Sequence, residues 1–159
     1  MASLMKRTAV GALAAALLCL PAIGNGRELA EAVQDAKDEV AGELARCAAY
    51  YAIAAAMISV SDAPGPDLRD KGIAQTKQAA ETAIGMAAQM SSPAIAAARM
   101  DLARQTMQRE MKNDWGNFSL IQVKYMWSCK DLVERPDDRF AYWVKEKSKL
   151  PDVPPTNPK

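Results

Sequence analysis

The sequence predicts an all-α fold: a disulfide-linked helical bundle of four main helices plus a short C-terminal helix. Three observations predict it. Apolar residues recur at steps of three and four along most of the chain, no stretch alternates with the two-residue period of a strand, and clusters of Pro, Gly, Ser and Asn punctuate the periodic segments. Half of the 159 residues are apolar, which is enough for one small core.

The first segment reads as an address rather than as structure. Lys6 and Arg7 precede a run of apolar and small residues from Thr8 to Leu20, and Pro21 closes it ahead of Ala22-Ile23-Gly24. This is the layout of a secretory signal peptide over residues 1–24, with cleavage expected between Gly24 and Asn25. The apolar run is shorter than the roughly 20 residues that span a bilayer. Stable membrane insertion after cleavage is therefore not expected, and export is.

The bundle domain is expected over residues 25–150. Asn25 and Glu28 form a capping-box start for the first helix, and Leu29, Val33, Ala36, Val40, Leu44, Cys47, Tyr51, Ala54 and Ile58 give it an inward stripe. From Cys47 to Ile58 every residue is apolar and many are alanine, which predicts a central helix surrounded by the others. The turn chemistry of residues 61–66 ends it. A second helix follows over 67–90, with Ile73, Ala80, Ile84, Ala87 and Met90 inward. Ser91-Ser92-Pro93 then caps a third over 93–112, with Ala96, Met100, Ala103, Met107 and Met111 inward. Gly116 is expected to take a left-handed conformation at the next break, with Asn117 or Ser119 as caps. The fourth helix, 118–133, places Phe118, Ile121, Tyr125, Cys129 and Leu132 on one face. Pro136 opens a fifth, 137–149, whose Phe140, Trp143 and Val144 are expected to cover one end of the bundle. Residues 151–159 contain four prolines and no apolar period, the composition of a disordered tail.

Removal of residues 1–24 takes Cys19 away and leaves Cys47 and Cys129, both on inward stripes. In an oxidising compartment two such cysteines predict a structural disulfide. No Cys-x-x-Cys redox motif or Cys-x-x-Cys-His haem attachment occurs.

The segment Cys47-Ala48-Ala49-Tyr50-Tyr51, together with Lys124-Tyr125, Cys129-Lys130-Asp131-Leu132 and Arg139-Phe140, resembles a group of small exported proteobacterial helical proteins of unassigned function. The resemblance implies a bacterial periplasmic setting and supplies no catalytic or ligand residue.

Composition excludes several chemistries. With no histidine, Ser-His-Asp and Cys-His nucleophile systems, histidine metal sites and an imidazole pH switch are all absent. Twenty basic side chains against nineteen acidic ones give a net charge of +1, too little to hold nucleic acid by charge. No cofactor motif and no metal-ligand spacing is present. The remaining acid–base equipment is carboxylate: Asp137-Asp138 at a helix start, and Glu110 with Asp114 four residues apart. The denser feature is aromatic. Trp115, Phe118, Tyr125, Trp127, Phe140, Tyr142 and Trp143 are interleaved with Lys124, Lys130, Arg135, Arg139 and Lys145, and Tyr, Trp and Arg are enriched at interfaces. The candidate partner-binding residues are Trp115, Trp127, Lys124, Lys130, Arg135, Arg139 and Trp143. The function expected is that of a non-enzymatic periplasmic binding or accessory protein acting through a helical surface on an envelope protein. The alternative is a small carboxylate-dependent periplasmic hydrolase.

Overall fold

A computed structural model describes residues 22–61 and 65–149, with side chains from Glu28 onward. The expected tail at 151–159 and nearly all of the expected signal peptide lie outside the described residues. Among the described residues there is no strand. Five α-helices follow in order, α1 (Ala22–Val60), α2 (Pro66–Met90), α3 (Pro93–Glu110), α4 (Phe118–Glu134) and α5 (Pro136–Lys147), with a single 3-10 turn at Trp115–Asn117 before α4. The first helix begins three residues ahead of the expected start, so the backbone at Gly24–Asn25 is already helical.

Helix α1 is the axis of the molecule and touches all four others. Its stretch Glu28–Val60 is long and apolar enough to cross a membrane by length and composition, and half of its most apolar window is buried in protein. From Val40 to Ala55 it has buried residues on every side, including Val40, Leu44, Ala48, Tyr50 and Ile53. The alanines there remove side-chain bulk, so neighbouring helices approach closely. Helix α2 descends antiparallel to α1, with Gly72 against Ile58. Helix α3 returns parallel to α1, where Arg99 donates to the Asp38 carbonyl at 3.0 Å near its start.

Local chemistry explains the turns. Gly65 has φ 63°, a left-handed value that only glycine adopts cheaply, ahead of Pro66 at the first turn of α2. Ser92 caps α3 as expected, its hydroxyl accepting from the Ile95 amide at 3.2 Å. The left-handed residues after α3 are Lys112 and Asn113 rather than Gly116. They close the helix by a bond from the Asn113 amide to the Gln108 carbonyl. The Asp114 carboxylate accepts from the Gly116 amide, and Asn117, instead of capping α4 with its side chain, donates its amide to the Met111 carbonyl at 3.1 Å.

Helices α4 and α5 together run down α1 in the opposite sense. Tyr125 lies at Tyr50, Cys129 at Cys47, Arg139 at Glu43 and Lys147 at Glu39. Helix α5 therefore lies along the N-terminal half of α1 instead of covering an end of the bundle. Phe140 and Trp143 pack against the core there, and the pairs of Arg139 with Glu43 and Lys147 with Glu39 run along the same side. The predicted disulfide is present, with Cα atoms 5.2 Å apart across 82 positions. Such a bond belongs to an oxidising, extracytoplasmic setting.

Candidate functional site: the outer face of α4 and the groove beside it

Helix α4 carries two apolar stripes. At 100° per residue, Ile121, Tyr125, Cys129 and Leu132 fall on one side, and all four are buried. Leu120, Val123 and Trp127, at i, i+3 and i+7, fall nearly opposite and are 53%, 82% and 67% exposed. The Lys130 ammonium lies 5.8 Å from the centre of the Trp127 ring, within cation–π reach, so the indole is flanked by a charge while one face stays open.

Between these stripes, Lys124, Ser128, Asp131 and Arg135 line a groove of about 550 Å³ that α4 forms with α1 and α5. Its charges are almost all matched. Arg139 donates in a two-pronged fashion to Glu43, from Nε at 2.7 Å and Nη2 at 2.6 Å, and the Trp143 indole N–H reaches the same carboxylate at 3.3 Å. The Arg139 guanidinium also stacks on the Tyr142 ring at 4.8 Å. Lys124 donates to Glu110 at 2.7 Å, and the Tyr125 hydroxyl donates to the same carboxylate at 3.2 Å. Arg135 pairs with Asp131, and with Asp138 at 3.8 Å. Hydrogen bonds to carboxylates hold Lys124 and Arg139 above their ordinary pKa values, so both remain charged.

Arg46 is the exception. It projects from α1 into this groove and also borders a second one, of about 460 Å³, between α1, α3 and α4. Glu43, one turn earlier on the same helix, would be its natural partner, but both Glu43 oxygens are taken by Arg139 and Trp143. Among the described residues Arg46 has no hydrogen bond or ion pair.

Protein-family models, curated proteins and solved structures were compared with the chain, and none matches.

The seven candidate partner-binding residues separate into four places. Lys124, Arg135 and Arg139 line the groove, and Trp127 and Lys130 stand on the outer face of α4. Trp143 is half-buried against the core with its indole N–H on Glu43, and Trp115 is exposed on the 3-10 turn before α4. Sequence reasoning missed Leu120 and Val123, which the helical period relative to the buried stripe could have found. It also missed Arg46, which no local pattern marks. Of the carboxylates, Glu110 is held by Lys124 and Tyr125, and Asp114 by the Gly116 amide. Asp138 lies beside Arg135. Among the described residues no three Cys, Asp or Glu side chains are grouped to hold a metal ion.

Proposed function

We propose that this is a non-enzymatic binding or accessory protein of the bacterial periplasm that engages an envelope protein through the outer face of α4. The observation that carries this is the Leu120–Val123–Trp127 stripe, three large apolar side chains at helical spacing on a face that no other described helix covers. Such a face fits the apolar side of a partner helix, read at the same i, i+3, i+7 spacing. Trp127, anchored beside Lys130, has the character of an interface hot spot. The export signal expected over residues 1–24 and the disulfide support the periplasmic setting.

The test is site-specific photo-crosslinking in the intact envelope, with a benzophenone side chain at 123 or 127 and a control at Gln75 on the exposed side of α2. Positions 123 and 127 should give the same discrete adduct, and position 75 should not. An adduct of twice the protein's own mass would replace the envelope partner by a second copy. Identical patterns at all three positions, or no adduct at 123 and 127, would refute the assignment to α4.

A further inference from the structure

We propose that the junction of the two grooves at Arg46 is a binding site for a carboxylate on a short apolar stem. This inference is independent of the function assigned to the outer face of α4. It begins with the neighbouring acids, which are engaged by other donors: Glu43 is held by Arg139 and Trp143, and Glu110 by Lys124 and Tyr125. Arg135 takes Asp131 and Asp138. The exposed Arg46 guanidinium is left as a fork of donors at the groove with no acceptor among the described residues.

The surroundings define the class of anion. A planar guanidinium matches a carboxylate two-pronged. On one side of Arg46 the second groove presents Leu102 and Ala103, an apolar wall on which a hydrocarbon stem can rest. Leu102 is 61% exposed there. On the other side the Ser128 and Tyr142 hydroxyls line the first groove. An anion without a stem would use the guanidinium and leave the wall wet, whereas a stemmed carboxylate uses both. Two sources share this chemistry: the C-terminal carboxylate of a polypeptide ending in an apolar residue, and a free short-chain carboxylate.

The experiment is a titration of isotope-labelled full-length protein followed by nuclear magnetic resonance, with hexanoate, N-acetylleucine, hexanol and inorganic phosphate as probes. Hexanoate or N-acetylleucine should shift the Arg46 side-chain Nε–H and the backbone amides of Cys47 and Thr106 in a saturable way, and the tighter of the two identifies the source. Arg46→Gln should weaken that binding by about tenfold or more, the effect of losing a charge-assisted pair. Arg46→Lys, which keeps the charge but not the fork, should fall between. Lys145→Gln, which removes an exposed lysine elsewhere, should change nothing. Because Arg46 has no partner among the described residues, its variants should melt with the parent. The proposal is overturned if neither carboxylate saturates, if hexanol or phosphate binds as well as hexanoate, or if Arg46→Gln binds as the parent does.

Discussion

Glu43→Gln is the substitution that most directly tests how α5 is held. It conserves volume and removes one charge from a carboxylate that accepts two bonds from Arg139 and one from Trp143. The Glu43 side chain is 18% exposed and that of Arg139 is 41%, which places the pair between a buried bridge and a surface one. Hydrogen bonds to charged groups contribute roughly 1.5–3 kcal/mol where water is excluded. The exposure of Arg139 screens the pair toward the lower end, and the Gln carbonyl can still accept one bond. A net loss of about 1.5 kcal/mol follows, equivalent to about tenfold in an equilibrium constant.

That loss should fall on α5 alone. No residue of α5 is fully buried, and apart from the half-buried Phe140, Trp143 and Val144 its docking depends on Glu43 and on the Lys147–Glu39 pair at 2.7 Å. Native-state hydrogen exchange resolves this, because local opening is reported amide by amide. Amides of α5 should exchange about tenfold faster in Glu43→Gln, while those from Leu44 to Ile53 in the centre of α1 keep their protection. Unchanged protection in α5 would show that Glu43 is not its clamp. Equal acceleration in α1 and α5 would show that α5 does not open separately, and the assignment of energy to this one carboxylate would fall.

Three further outcomes are expected. Denatured, unreduced protein should contain no alkylatable thiol from Cys47 or Cys129, and Cys47→Ser, Cys129→Ser and the double variant should lose similar stability, about 4 kcal/mol from chain entropy for a loop of this length; additive losses in thermal melts would mean that the thiols pack independently. Burial raises the pKa of Tyr50 and Tyr51 above the usual 10.0, with Tyr51 and Glu134 respectively adding to it. The unfolded chain then gives up these protons first, so their contribution is intact below pH 10 and is lost as pH rises beyond it. Phenolate absorbance should show a late-titrating component that Tyr50→Phe and Tyr51→Phe each reduce, and its absence would contradict the burial. Trp127→Ala should change stability by no more than about 0.5 kcal/mol, as at other exposed positions, against roughly 3–5 for a packed aromatic. A drop in melting temperature of core size would remove Trp127 from the surface.

The two ends of the chain differ in how well the sequence describes them. In α4 the turn residues isolate one short helix with one buried face, and the expected Ile121, Tyr125, Cys129 and Leu132 are the buried set. In α1 a single-face stripe places Leu29 and Tyr51 inward, whereas Leu29 is exposed and Tyr50 is the tyrosine buried deepest. The centre of α1 is enclosed on all sides, so no one face carries the signal. In α2 only Ala83 and Ala87 are fully buried, because helices packed through alanine bring backbones together and leave larger neighbours such as Ile84 and Met90 at the margin. Arg46 is illegible for a different reason. Its lack of a partner depends on Arg139, far along the chain, occupying Glu43, and no local window contains both facts.

A helix with apolar stripes on opposite sides poses a problem that burial alone does not solve. The hydrophobic effect is non-directional and roughly proportional to area, so it distinguishes poorly between seating Tyr125 and Leu132 inward and seating Val123 and Trp127 inward. Directional bonds decide the rotation of α4. The Tyr125 hydroxyl reaches Glu110 and the Asn117 amide reaches the Met111 carbonyl, and both require the observed face to be inward. The Cys129–Cys47 bond requires it covalently. Oxidation therefore does more than constrain the unfolded chain: it fixes which stripe of α4 faces α1 and so which one is left on the surface. In an exported protein the working surface would then be completed only after the chain reaches the compartment in which that bond forms.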